Sequence, residues 1–131
     1  MERRDIGGEG LHAQAVMVSG HRSIYVSGQV AVDADGQVIG NDVATQSRAV
    51  FERISGLLGE LGATVDDVVK ITTFLTDMSE YGSFSAVRAE IFPGRKPASS
   101  TVGVRALSQP EFLIEIEAVA AIGEVGDAPT P

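Results

Sequence analysis

Short apolar runs broken by glycine and polar turns open the chain, and a longer period takes over near its middle. Residues 15–18 (Ala-Val-Met-Val) and 24–27 (Ile-Tyr-Val-Ser) are strand-like runs separated by the turn-rich span Ser19-Gly20-His21-Arg22-Ser23, which predicts a hairpin. Residues 30–32 run into Asp33-Ala34-Asp35-Gly36, a second turn, with 37–39 returning beyond it. From Asn41 onward, Val43, Val50, Ile54, Leu57, Leu58 and Leu61 fall on one helical stripe, opposite Arg48, Glu52, Arg53 and Glu60. The spacing predicts a helix over 42–61. Asn41 or Asp42 can accept from its first free amides, and Gly62 sits where a left-handed residue closes it.

The second half alternates in the same way. Residues 68–76 are rich in β-branched side chains and apolar on both faces apart from Lys70, as a central strand should be. A strand, a helix and a strand in that order make a βαβ unit. Tyr81, Phe84, Val87, Ile91 and Phe92 return to helical spacing after a capping candidate at Ser79, and Pro93-Gly94 ends that helix. Residues 99–105 read as a strand, 108–111 as a turn and 112–119 as a last strand. In that strand Phe112, Ile114, Ile116 and Ala118 share one face, and Leu113, Glu115, Glu117 and Val119 share the other. Residues 1–10 and 123–131 show no period, so both ends are expected to be loosely held flexible segments flanking one domain over 11–122.

Composition narrows the chemistry. Ten Lys and Arg stand against 18 Asp and Glu, a net charge of −8 that repels phosphate backbones and disfavours nucleic acid and anionic membranes. With no run of about 18 apolar residues and no apolar stretch near Met1, the chain reads as a cytoplasmic protein with no membrane partner. The absence of Cys removes thiolate nucleophiles, disulfides and cysteine metal sites. Only His12 and His21 are present, in no close ligand spacing, so no metal site is expected. Nucleotide-binding glycine loops and the G-x-S-x-G elbow are missing as well.

A short set of polar residues remains. Glu115 and Glu117 share a strand face and are either a carboxylate pair for acid–base work or two solvated residues. Ser27-Gly28 ends a strand where a ligand can approach backbone groups, or is a plain turn. His12 is a candidate proton shuttle or a surface histidine. Lys70 reads as an amine reaching the sheet edge rather than a Schiff-base lysine. Arg88, Arg95, Lys96 and Arg105 are candidate carboxylate binders or ordinary surface charges. These residues alone define an α/β domain and no reaction.

The order of motifs resembles the RidA (YjgF) family of reactive-intermediate deaminases. Gly10-Leu11-His12-Ala13-Gln14-Ala15 is similar to that family's Gly-Pro-Tyr-x-Gln opening, and Tyr25-Val26-Ser27-Gly28-Gln29 to its Ser-Gly-Gln strand end. Residues 68–74 resemble its central strand, Pro97-Ala98-Ser99-Ser100-Thr101-Val102 its Pro-Ala-Arg segment, and Ile114-Glu115-Ile116-Glu117-Ala118 its closing Ile-Glu-Ile-Glu-Ala. The resemblance spans about residues 11–122 and implies an α/β (α+β) fold of the chorismate-mutase-like type, a mixed sheet with two helices packed on one face. It further implies a homotrimer with sites in the clefts between subunits. The implied reaction is hydrolysis of small enamines and imines to a keto acid and ammonia, without cofactor or metal.

In the family an Arg clamps the substrate carboxylate, a backbone group near the Ser-Gly strand end helps hold it, and the first Glu of the closing motif orients water. Glu115 and Gly28 match two of these roles. The Arg position is Ser99, and a hydroxyl lacks the charged fork a carboxylate uses. The opening Tyr is His12, and Thr101 stands where a Cys is frequent, so the sequence looks like an Arg-less branch with a changed substrate. On this reading Glu115 and His12 are catalytic. Ser27, Gly28, Ser99 and Thr101 line the cleft, with Arg88 or Arg105 in place of the missing anchor. The alternative expectation is a noncatalytic trimer that binds a small ligand or a partner protein in the same clefts.

Overall fold

The fold is seen in a computed structural model that describes residues 1–125. Its strands are β1 (Glu2–Ile6), β2 (Ala15–Ser19), β3 (His21–Gln29), β4 (Val68–Leu75), β5 (Ala98–Gly103) and β6 (Ile114–Gly123), with helices α1 (Val43–Glu60) and α2 (Tyr81–Ile91). β3, β6, β4 and β5 form a four-stranded sheet in that order. β4 and β5 are parallel, joined by the α2 crossover, and β6 is inserted antiparallel between β3 and β4. The result is a mixed sheet with both helices on one face.

Side-chain alternation decides which face is covered. Ile114, Ile116, Ala118 and Ala120 of β6 are buried with Ile71 and Leu75 of β4 against Val50, Phe51, Ile54 and Leu58 of α1 and Phe84 and Val87 of α2. Phe51 stacks on Phe84 at 6.4 Å and meets Phe92 edge-on at 5.6 Å, which locks the two helices together. The alternation expected for residues 112–119 therefore holds. α1 also ends as the sequence implies: the Asp42 side chain accepts from the Thr45 amide, and Gly62 adopts φ +78°.

A buried glutamine fixes the entry into β6. Gln46 is wholly buried, its amide donating to the Gly40 and Glu111 carbonyls at 3.1 and 2.8 Å while its oxygen accepts from the Leu113 amide at 2.9 Å. It ties the loop before α1 to the segment that enters β6.

Four expectations are corrected. Residues 1–10 are not without structure, because Glu2–Ile6 is a strand paired antiparallel with β2. Its inward positions are Arg3 and Asp5 while Ile6 is exposed, an inversion of the usual pattern that hides it from hydrophobic periodicity. Arg3 holds it down, donating to Asp5 at 2.8 Å and to the Asp66, Val68 and Lys96 carbonyls. Residues 15–18 and 24–27 consequently form no hairpin with each other: β2 pairs with β1, and β3 joins the main sheet across the turn at Gly20. The cap near Ser79 is Asp77, whose carboxylate accepts from the Ser79 amide at the start of a short 3-10 turn before α2. Gly123, expected in the loose tail over 123–131, is instead the last residue of β6, and residues 126–131 lie outside the described residues.

Candidate functional site

A bulge in β3 shapes the first half of the site. Val26 pairs with Ala118 and Gln29 with Ile116, so Ser27 and Gly28 together lie opposite Glu117. Such an extra residue bends the strand and re-aims its groups. Glu115 pairs across β4 with Phe74, on the sheet face away from the helices, and its carboxylate lies against Gly28 so closely that a Cβ there would collide with it. Glu115 is half-buried, and among the described residues no donor bonds to it. A carboxylate held like this has its lone pairs free for water or a ligand. Glu117 is exposed on the same face, one residue pair further along β4, opposite Thr72.

Arg88 organises the second half. It is 1% exposed at the last turn of α2. Nη1 donates to the Ser99 hydroxyl at 3.0 Å, and Nη2 to the Tyr81 and Ser85 hydroxyls at 3.0 and 3.1 Å. The guanidinium carbon lies 5.1 Å from the Phe84 ring centre and 5.7 Å from that of Tyr81. Desolvating a cation costs several kcal/mol, and cation–π contact returns about 2. Hydroxyls satisfy its donors without neutralising its charge. Nε is buried without a partner, and no carboxylate of the described residues bonds to Arg88. Arg48, by contrast, is exposed and pairs with Glu90, so the fold does join charges elsewhere.

The two halves lie on opposite faces of one sheet. Ser99 and Thr101 of β5 pair with Ile71 and Thr73 of β4, both buried beneath the helices, whereas Ser100 points outward and accepts from Lys70 at 2.9 Å. Lys70 thus reaches the sheet surface as expected. Ser99, Thr101 and Arg88 therefore share the covered side, while Gly28 and Glu115 share the open side. His12 precedes the segment that meets the start of β5. Its neighbour Ala13 bridges Ala98 in parallel and donates to the Pro97 carbonyl, and its Nδ1 is buried without a partner. Arg105 is exposed beyond the end of β5. Residues 99–103 alone span about 13 Å of strand, so Arg105 does not share the Ser99 site.

Periodicity assigned Tyr81 to the core stripe of α2 and did not single out Ser85. Their spacing to Arg88, seven and three residues, places all three on one helix face and was the available signal. A cavity of about 300 Å³ lies elsewhere, lined by Met1, Arg3, Asp5 and Arg95. Arg3 there is committed to holding β1, so we assign that cavity no chemistry. Among the described residues no three His, Asp or Glu side chains gather as a metal site, and no helix is long and apolar enough to cross a membrane.

Comparison with known proteins follows the same geometry. The family model described as Endoribonuclease L-PSP matches residues 7–122. A RutC family protein of Pyrococcus abyssi is 37% identical over 112 residues, 85% of this chain and 86% of its own. The solved structure of a Rid-family protein of unknown function, YyfB from Yersinia pestis, superposes with a TM-score of 0.85 at 33% identity, covering 93% of this chain and all of that one. Yeast Mmf1 does so at 0.73 and 30% identity, over 86% and 87%. With the sheet order, the covered face and these matches in agreement over almost the whole described chain, the protein belongs to the YjgF/Rid family and has its chorismate-mutase-like fold.

Proposed function

We propose that the protein is a cofactor-independent hydrolase of small enamines or imines, acting in clefts between copies of the chain. The observation that carries this reading is the Glu115 carboxylate: half-buried, set against Gly28 at a strand bulge and engaged by no protein donor. Glu115 accepts a proton from water as the water oxygen bonds to the electrophilic carbon and the C=N electron pair moves to nitrogen. The proton then passes to that nitrogen, giving a carbinolamine; its hydroxyl proton is carried to the amine, the C–N bond breaks, and ammonia leaves as the C=O bond forms. Positioned proton transfer of this kind contributes about 10²- to 10⁴-fold. His12, with its unpartnered Nδ1, is suited to carry the second proton.

The sheet supports a second copy in this reading. Glu115 and Gly28 are on one face, and Ser99, Thr101 and Arg88 are on the other. One chain cannot bring the groups together, but a neighbour can set its open face against this chain's β5 edge. A homotrimer closes that arrangement symmetrically. Ser27, Gly28, Ser99 and Thr101 then line the cleft.

The test is release of keto acid from imines generated in place by an amino-acid oxidase. Acceleration by the natural chain that disappears in Glu115→Ala supports the reading. Equal acceleration by Glu115→Ala, or none by the natural chain, overturns it. Light scattering that gives a single chain in solution removes the shared cleft. RNA binding, which the name of the family model raises, is opposed by the net charge of −8. Salt-dependent RNA retention on a filter would contradict that.

A further inference from the structure

We propose that Arg53 is a positioning residue for the Glu115 site: acting through the Gln29 side chain, it fixes the Ser27–Gly28 peptide at the β3 bulge. This deepens the hydrolase reading by naming what holds its bulge, and rests on that reading only for the effect on turnover.

The bulge itself creates the need. Ser27 and Gly28 lie together opposite Glu117, so the regular ladder is interrupted at the peptide between them. A side chain supplies the missing hold, because Gln29 Nε2 donates to the Ser27 carbonyl at 3.0 Å. The other end of the same amide meets α1. Arg53 Nε donates to Gln29 Oε1 at 3.3 Å, and Arg53 Nη1 donates to the Val32 carbonyl at 3.1 Å. One guanidinium thus holds both ends of residues 29–32 as they leave the strand.

Only one orientation of the Gln29 amide fits these partners. Arginine offers donors alone and a carbonyl accepts alone, so Oε1 faces Arg53 and Nε2 faces Ser27. The donors therefore run one way, from the charged guanidinium through Gln29 into the Ser27 carbonyl, and bonds in such a chain polarise one another. In a planar trans peptide the Gly28 N–H points opposite to that carbonyl, away from the relay. Gly28 is also the residue against which the Glu115 carboxylate lies. The setting of this one peptide decides both where its N–H aims and where that carboxylate rests.

Arg53 has no other partner among the described residues. It lies opposite the apolar stripe of α1, yet it is half-buried and bonds only to neutral oxygens, whereas Arg48 on the same helix is exposed and pairs with Glu90. Withdrawing a charge from water toward neutral groups costs free energy. What the arrangement gains is a fixed bulge.

The test compares backbone amide resonances of the nitrogen-labelled full chain with those of Arg53→Met, Gln29→Leu and the double variant. Arg53 bonds to neither Ser27 nor Gly28, yet Arg53→Met should move the Gly28 amide upfield, and should not move it further once Gln29→Leu has cut the relay. A merely structural clamp would shift the Val32 region and lower the melting temperature while leaving Gly28 in place. Arg53→Lys keeps the charge but not the fork. It should give a smaller shift of the same sign, and it carries the test if Arg53→Met does not fold. In the imine assay kcat/KM of Arg53→Met should fall about tenfold, with part recovered in Arg53→Lys. A Gly28 amide unmoved in the folded Arg53 variants, or moved equally with and without Gln29, overturns the proposal whatever happens to turnover. Full turnover by Arg53→Met beside an active natural chain overturns it as well. If the natural chain hydrolyses no imine, the hydrolase reading falls, and the Gly28 amide still decides the relay.

Discussion

On the open face of the sheet, Glu115 is a half-buried carboxylate with no donor; on the covered face, Arg88 is a buried guanidinium with no carboxylate. The two lie within one small protein, on opposite faces of its sheet. Their separation has a cause in strand alternation. Residues 99 and 101 share the parity of Ile71 and Thr73, residue 115 shares that of Phe74, and successive side chains point to opposite faces. The comparison teaches that strand alternation alone can keep two unmatched charges of one small sheet apart, one on each face.

The strongest way to break that comparison is to inactivate the two faces in separate chains. Glu115→Ala should lower imine turnover by about 10²- to 10⁴-fold, and Arg88→Met should lower it through loss of ligand affinity. When the two variants are refolded together, mixed assemblies contain some clefts with both intact groups, so part of the activity should return. Absence of any recovery, with mixed assemblies verified by mass, would show that both groups act from the same chain.

A second test crosses the sheet from the covered side. Gln46 is buried in α1 yet holds the Glu111 carbonyl and the Leu113 amide, two residues before Glu115. Gln46→Ala removes these bonds and strands their partners, and should destabilise the fold by about 3 kcal/mol in a denaturant titration. Loss well below 1 kcal/mol would mean that the entry into β6 is held by its ladder alone. A third test stays on the open face. Gly28→Ala puts a Cβ where the Glu115 carboxylate lies. Turnover should fall about tenfold as the carboxylate is displaced, with the melting temperature nearly unchanged.

These contrasts also explain what the sequence could reveal. The α1 stripe, its Asp42 cap and the alternation of β6 were legible because burial follows period wherever apolar groups face the core. β1 was not, since its inward residues are Arg3 and Asp5, and its stability comes from hydrogen bonds to residues more than sixty positions away. Gln46 was hidden for a related reason: a single polar residue on a helix gives no sign that its partners lie near residue 112. Glu115, Gly28 and Ser99 were singled out by their resemblance to family motifs. Their distribution over two faces became evident only from the register of β4 with its neighbours. Tyr81 and Ser85 acquire meaning only from the charge of Arg88 beneath them.

The smallest expected effect concerns the cover itself. Asp42 caps α1 by accepting from the Thr45 amide and hydroxyl, at 2.8 and 2.9 Å, and the Thr45 amide bond leads the causes that hold its carboxyl below the ordinary value of 3.8. A carboxylate whose pKa is lower in the folded chain binds fewer protons there than when unfolded, so its contribution is complete above the ordinary carboxylate range. It fades as the pH falls through that range toward the lower folded value. Asp42→Ala should therefore lower the melting temperature by a few degrees at pH 7, and the deficit should shrink as the pH drops below about 4. Amide exchange should quicken in the first turn of α1 on the covered face and remain unchanged at β3 and its bulge on the open face. Equal quickening at both places would mean that the two faces yield as one cooperative unit, and the contrast between them would then be chemical alone.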